Sequence, residues 1–114
     1  MIVNNTYLGE SKIHGIGVFS KNNFIKGDII EESHFLEVDK NCDCLKNYYF
    51  GYINSNNKRA LVLGNISFLN HSENPNSYVN YNKDKNVFEL IIIKDIKKDQ
   101  EITIKYGEEI TFKF

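Results

Sequence analysis

Short runs of apolar and β-branched residues, separated by glycine-containing turns, dominate the first part of the chain. The runs cover residues 2–3 with 7–8, residues 17–20 and residues 24–30, and the last is interrupted by a turn at 26–28. Clustering and alternation over so few residues favour strands over helices. The sequence therefore predicts a β-rich start.

The remainder continues this pattern, with one ambiguous segment at residues 44–52. Leu45, Tyr48, Tyr49 and Tyr52 follow three- and four-residue spacings that fit one short helix, but tyrosines also favour a strand. Elsewhere we expect strands at 59–63, 87–93 and 101–106, a turn or single helical turn at 64–68, a loop at 69–77 and a turn at 97–100. Many short strands and little helix predict a mostly β fold, with residues 1–114 in a single domain.

Charge and hydropathy narrow the classes of partner. The chain has 14 Lys and Arg against 15 Asp and Glu, a formal net charge of −1. Because no positive field is available for a phosphate backbone, we expect a basic peptide as partner and no direct nucleic-acid binding. No apolar run approaches the roughly 20 residues that span a bilayer, and the N-terminus lacks a secretory signal. We therefore expect an intracellular protein without membrane contact.

Cysteine and histidine are too scattered to predict a metal site. A structural zinc ion takes four ligands at characteristic spacings. Here Cys42 and Cys44 form one C-x-C pair, and the histidines stand apart at positions 14, 34 and 71. We expect no metal.

Residues 14–19, which read His-Gly-Ile-Gly-Val-Phe, form the first segment with candidate chemistry. Gly15 and Gly17 allow positive φ or the close approach of backbone to a ligand. A glycine-rich hairpin turn has the same pattern.

Two further segments hold polar groups in suggestive places. Asn70, His71 and Ser72 concentrate hydrogen-bond donors and acceptors, which suits a binding loop or an ordinary polar turn. Between residues 101 and 106, alternation places Ile102 and Ile104 on one face, and Tyr106 continues it. Tyr106 then reaches a partly buried site or serves as a core aromatic residue.

In this order the three segments resemble the SET-domain family of protein-lysine methyltransferases. Its pattern of G-x-G-[VF], N-H-S/C and E-[LI]-[TL]-x-x-Y-G is matched at residues 15–19, 70–76 and 101–107, within a similarity covering residues 8–110. The chain looks most like the minimal stand-alone SET proteins of large DNA viruses. The resemblance implies small β-clip-like sheets, short helices and a pseudoknot-like C-terminal crossing. It implies neither a pre-SET region nor a zinc-binding post-SET region.

The resemblance also implies a reaction and its residues. A methyl group passes from S-adenosylmethionine to a lysine ε-amine, on a histone tail such as that of H3, and S-adenosylhomocysteine is released. Tyr106 and Tyr48 are the implied catalytic tyrosines, and Ile104, which lacks a hydroxyl, implies di- or trimethylation. The implied cofactor contacts are Gly15, Ile16, Gly17, Val18, Asn70, His71 and Phe112, and the implied lysine channel is lined by Tyr49, Ile104 and Val79.

Three alternatives remain open at this stage. The chain could be a non-catalytic SET-like module that binds a lysine-bearing peptide or the cofactor, or a methyltransferase of a non-histone protein. An unrelated β-barrel interaction protein is the third. Analogy with the viral group adds a homodimer, and histone methylation would place the protein in the nucleus or on chromatin rather than in the cytoplasm.

Overall fold

The computed structural model describes residues 5–39, 49–50 and 58–106. Over these ranges strand is the dominant regular structure and there is almost no helix, which confirms the mostly β class. The strands are β1 Thr6–Glu10, β2 Ile16–Ser20, β3 Ile29–Ser33, β4 Phe35–Asp39, β5 Tyr49–Phe50, β6 Lys58–Val62, β7 Asn70–His71, β8 Ser77–Asn82, β9 Val87–Ile92 and β10 Glu101–Ile104, with a 3₁₀ helix at Asn65–Phe68. None of the described residues belongs to a helix with the length and apolarity needed to cross a bilayer.

The strands form three small sheets with the orders β1-β2-β10-β7, β3-β9-β8 and β4-β6-β5. Strand β10 pairs antiparallel with β2 and parallel with β7. A strand from the end of the chain therefore lies between an N-terminal strand and the segment that follows the 3₁₀ helix. This insertion agrees with the C-terminal crossing that the resemblance implies.

One hydrophobic core joins the three sheets and the 3₁₀ helix. Its aromatic part is centred on Phe88, whose ring centroid lies 5.2 Å from that of Phe35, 5.7 Å from Phe50 and 5.3 Å from Tyr81. Sheets of three or four short strands need a hydrophobic face to be stable, and the shared core provides one for all three sheets. The buried members are Val18, Ile30, Phe50, Ala60, Val62, Ile66, Leu69, Val79, Phe88, Leu90, Ile92, Ile96, Ile102 and Ile104.

Most of the expected elements are confirmed, and two expectations are wrong. The strands at 17–20, 59–63 and 87–93 and the single helical turn at 64–68 are present. The expected loop at 69–77 instead contains β7, and strand β8 begins at its last residue, Ser77. The last strand ends at Ile104 rather than at Tyr106. In the ambiguous segment, Tyr49–Phe50 is a strand, and the rest lies outside the described residues.

Candidate functional site

The short strand β7 brings two polar side chains to the end of β10. Asn70 is the register partner of Thr103, and His71 is the partner of Ile104. The Ser72 amide donates to the Ile104 carbonyl at 2.9 Å, which extends the contact beyond the strand. The polar segment and the segment containing the tyrosine, far apart in sequence, therefore meet at one place.

His71 links this strand to Tyr106. The Tyr106 amide donates to His71 Nδ1 at 2.9 Å, and the two ring centroids are 5.2 Å apart. Because Nδ1 accepts, the neutral imidazole holds its proton on Nε2, which lies 3.2 Å from Glu73 Oε1. The His71 hydrogen bond, aided by Lys105, holds the pKa of the Glu73 carboxyl below its usual value. The imidazole is thus oriented from both sides.

The Tyr106 hydroxyl is a hydrogen-bond donor at the edge of the core. It donates to the Leu69 carbonyl at 2.5 Å, and the residue is 37% exposed. Burial raises the pKa of Tyr106 above its usual value, so the hydroxyl stays protonated at physiological pH. The backbone leaves the strand before Tyr106 because the Ile104 carbonyl and the Tyr106 amide bond to Ser72 and His71.

Asn70 connects the same strand to the glycine segment. Its Nδ2 lies 3.0 Å from the His14 carbonyl, 3.2 Å from the Ile16 carbonyl and 3.0 Å from Glu101 Oε2. Two amide hydrogens are shared among three acceptors, so the NH₂ group of this residue, 7% exposed, is fully engaged. The structure therefore brings Gly15 and Ile16 together with Asn70, as the resemblance expects.

The two glycines of this segment have different surroundings. Gly15 has a φ of +46°, and a Cβ built there would meet no atom within 4 Å. It therefore provides a left-handed turn beside open space. A Cβ at Gly17 would instead lie 2.4 Å from Glu101 Oε2 and 3.0 Å from the Ser11 Cβ. The missing side chain at Gly17 makes room for a carboxylate of the protein itself.

Three of the expected site residues are buried in the hydrophobic core. Val18 and Ile104 have no exposed surface, and Val79 is 3% exposed. Any contact of Val18 with a cofactor would therefore use its backbone. Tyr48 and Phe112 lie outside the described residues, and Tyr49 is described only as part of the backbone of β5.

Ser11 and Glu101 were not predicted as site residues. Ser11 Oγ lies 2.8 Å from both carboxylate oxygens of Glu101. The same Oγ accepts from the amides of Ile13 at 2.9 Å and His14 at 3.3 Å. Glu101 opens the third motif in the sequence, but its contact with Ser11 joins segments 90 residues apart and is visible only in the structure.

Asn76 is the last residue of the second motif, at residues 70–76, and its role depends on tertiary structure. Its Nδ2 donates to the Glu101 carbonyl at 2.9 Å, and its Oδ1 accepts from the Thr103 amide at 3.0 Å. Ser77 Oγ donates to the Thr103 carbonyl at 2.7 Å. The Asn76 amide thus binds β10 as a neighbouring strand would, and this keeps β10 next to β7.

An apolar groove of about 330 Å³ lies on the segment that precedes β7. It is lined by Leu61, Val62, Leu63, Gly64, Ser67 and Phe68. Leu63 is 52% exposed and Phe68 is 39% exposed. Phe68 directly precedes Leu69, whose carbonyl accepts the Tyr106 hydroxyl.

Within residues 5–39, 49–50 and 58–106, no three His, Cys, Asp or Glu side chains are placed to hold a metal ion. The two cysteines, Cys42 and Cys44, lie outside these ranges.

Comparison with known proteins gives a match to one family and similarity to histone methyltransferases at 32% identity. Residues 15–107 match the model of the SET domain. A candidate histone methyltransferase of Plasmodium falciparum has a crystal structure with a TM-score of 0.82 at 32% identity, covering 95% of this chain and 97% of that one. A Schizosaccharomyces pombe histone-lysine N-methyltransferase, H3 lysine-37 specific, is 32% identical over 63 residues, 55% of this chain and 43% of its own length. The chain thus matches less than half of this curated relative.

A likeness in fold extends to a larger assembly. The Chaetomium thermophilum Polycomb Repressive Complex 2 matches with a TM-score of 0.73 at 18% identity, covering 92% of this chain but 15% of that one. At this identity the likeness concerns the fold alone.

Proposed function

The chain belongs to the SET-domain family, and on that basis we propose that it is a protein-lysine N-methyltransferase that uses S-adenosylmethionine. The observation that supports this most directly is the convergence at β7. His71 binds the backbone of Tyr106, and Asn70 binds the turn that contains Gly15. One two-residue strand therefore connects a neutral tyrosine hydroxyl with a backbone turn that has open space beside it.

The glycine turn has acceptor groups that fit the ammonium of the amino-acid end of the cofactor. The carbonyls of His14 and Ile16 accept from Asn70, and the carbonyl of Gly15 accepts from the Ser11 amide. Each carbonyl oxygen retains a second lone pair, which an ammonium group can use. The open space at Gly15 allows close approach. When bound, S-adenosylmethionine supplies a methyl group activated by its sulfonium.

The lysine must lose a proton before it can accept the methyl group. With a reference pKa near 10.4, deprotonation at pH 7 costs about 4 to 5 kcal/mol. Tyr106 does not act as the base, because burial raises its pKa and its proton is donated to the Leu69 carbonyl. We assign to Tyr106 the orientation of the amine. The apolar groove at Leu61 to Phe68 would hold the aliphatic part of a lysine side chain and favour its neutral form.

We further propose a histone tail, such as that of H3, as the substrate, and a nuclear or chromatin location. The support is the name of the S. pombe relative, a histone-lysine N-methyltransferase specific for H3 lysine 37. Ile104, two residues before Tyr106, offers no hydroxyl that could hold a water molecule beside the amine. We therefore expect di- or trimethyl-lysine as the product. Methylation of a non-histone protein is the second candidate.

The test is transfer of labelled methyl groups to H3 tail peptides and to a panel of other proteins. Tyr106→Phe should lower turnover about 100-fold, the size of effect expected when a reacting group is misplaced. Its Kd for S-adenosylmethionine should stay within about twofold of the wild type, because no cofactor contact is assigned to the Tyr106 hydroxyl. Tyr7→Phe is the matched control, since the Tyr7 hydroxyl binds Asp99 outside the site.

Each outcome bears on a different part of the proposal. Wild-type turnover by Tyr106→Phe would contradict the role of that hydroxyl. Cofactor binding with no transfer to any lysine would identify a non-catalytic module. Transfer to other proteins but not to histones would select the second candidate. Mass spectrometry that finds monomethyl-lysine alone would contradict the expectation from Ile104.

A further inference from the structure

We propose that Ser11 and Glu101 are positioning residues that hold the backbone of residues 13–16 in the conformation that binds the cofactor. The inference rests on the proposed function, since it assigns a role within the same site. Neither side chain is needed for the transfer itself. Their contacts instead converge on the glycine turn from two directions, one through Ser11 and one through Asn70.

The first contact fixes the direction of the Ser11 hydroxyl. Ser11 has a single hydroxyl hydrogen, and the Glu101 carboxylate, 2.8 Å away at both oxygens, takes it. The lone pairs of Ser11 Oγ are then left for the amides of Ile13 and His14, which donate to it. Without the carboxylate the hydroxyl can rotate, and these two amides lose a fixed acceptor.

The second contact fixes the orientation of the Asn70 amide. Glu101 Oε2 lies 3.0 Å from Asn70 Nδ2 and can only accept. This places the NH₂ group, rather than the oxygen, toward the carbonyls of His14 and Ile16. The opposite orientation would set the Asn70 oxygen against three acceptors. Glu101 therefore acts together with the two carbonyls to hold the NH₂ group of Asn70 toward the turn.

Gly17 is the third part of the arrangement. Its Cβ position is 2.4 Å from Glu101 Oε2, so a side chain at this position would displace the carboxylate from its present place. Residue 17 and residue 101 are thus matched in shape, although they are far apart in the chain. The second glycine of the motif serves the positioning pair, and Gly15 keeps the open side toward a ligand.

The experiment compares Glu101→Gln and Ser11→Ala with Glu10→Gln, an exposed carboxylate at the end of β1. Glutamine keeps the size of the side chain but cannot accept from Ser11 and Asn70 with both oxygens. We expect Glu101→Gln to raise the Kd for S-adenosylmethionine about tenfold, the effect of losing one charged hydrogen bond. At saturating cofactor, kcat and the KM for the peptide should stay within about twofold of the wild type.

Two further measurements separate a positioning role from a general effect on folding stability. Amide hydrogen exchange at Ile13 and His14 should be faster in both variants and unchanged in Glu10→Gln. Ser11→Ala should weaken cofactor binding less in the Glu101→Gln background than in the wild type, because part of the Ser11 contribution depends on its contact with Glu101. Ser11→Ala is the second variant that keeps the test open if Glu101→Gln does not fold.

The measurements distinguish failure of the positioning role from failure of the proposed function. If the wild type does not bind S-adenosylmethionine, the proposed function fails, and exchange at Ile13 and His14 alone decides whether the pair orders the turn. If the wild type binds and Glu101→Gln binds equally well, the positioning role is overturned. A lower melting temperature with unchanged Kd would likewise overturn it and leave a purely structural contact.

Discussion

Replacement of Gly17 by alanine tests the geometry of the site without touching a catalytic group. The added methyl would lie 2.4 Å from Glu101 Oε2 and 3.0 Å from both Glu101 Cδ and Ser11 Cβ. A separation of 2.4 Å cannot persist, so the carboxylate must move. Its movement breaks the hydrogen bonds from Ser11 and from Asn70.

The expected cost follows from those lost bonds. A hydrogen bond to a charged group contributes about 1.5 to 3 kcal/mol, and the partly exposed setting of Glu101 favours the low end of that range. Two such bonds, partly replaced by water, give a loss of about 2 to 3 kcal/mol. Alanine is better than glycine in a strand by about 0.5 to 1 kcal/mol. The net loss of unfolding free energy should therefore be about 1 to 2.5 kcal/mol.

Urea unfolding of four proteins measures this loss: the wild type, Gly17→Ala, Glu101→Ala and the double variant. In the Glu101→Ala background the methyl finds the space vacated by the carboxylate, so Gly17→Ala should cost less than about 0.5 kcal/mol there. Gly15→Ala is the matched control. Its Cβ meets no atom, but its φ of +46° costs about 1 to 2 kcal/mol whether or not Glu101 is present.

The four unfolding free energies also test whether the carboxylate causes the loss. If Gly17→Ala destabilises the protein equally with and without the Glu101 side chain, then the clash with the carboxylate is not the cause. The 3.0 Å approach to Ser11 Cβ would then be the dominant contact.

Three other predictions concern the fold and the reaction. Asn76→Asp replaces the donor to the Glu101 carbonyl with an acceptor, so urea unfolding should show a loss of about 2 kcal/mol, and unchanged stability would contradict the role of Asn76 in holding β10. Burial raises the pKa of Glu31 in the folded protein, so folding favours the neutral carboxyl. The neutral carboxyl therefore stabilises the fold fully below the unfolded-state pKa of about 4.3, and this stabilisation is lost as pH rises through the folded-state pKa. The melting temperature of Glu31→Gln should therefore rise relative to that of the wild type as pH rises through that window. A constant difference between the two melting temperatures would show that Glu31 does not titrate there. Turnover at saturating cofactor should rise nearly tenfold per pH unit from about pH 7 to 9 as lysine deprotonates, and a flat pH profile would indicate a base within the site.

Local patterns in the sequence were sufficient for much of the fold. Strands β2, β6 and β9 are runs of β-branched and apolar residues, and each was predicted within a residue or two. Gly15 was a candidate for positive φ, and it has a φ of +46°. The order of the three motifs was also enough to indicate the SET family, which the match over residues 15–107 confirms.

Strand β8 was not predicted because its stability comes from a partner strand. Its sequence, Ser-Tyr-Val-Asn-Tyr-Asn, contains asparagines that alone suggest a loop. In the structure Asn80 and Asn82 donate to the two carboxylate oxygens of the buried Glu89 on β9. Pairing along the whole of β9 satisfies the backbone of β8 as well. The low strand propensity of this segment is therefore overcome by cross-strand contacts, which the local sequence does not reveal.

The division between sequence and tertiary structure is clearest at the candidate site. Residue types and spacing by themselves determined the family, the mostly β class, and Gly15, Asn70, His71 and Tyr106 as residues to examine, because these depend on order along one chain. Only the tertiary structure decided that β10 lies between β2 and β7, that Gly17 faces Glu101, and that the Tyr106 hydroxyl donates to the Leu69 carbonyl. Those contacts join segments distant in sequence, and their geometry is set by the packing of strands around one core.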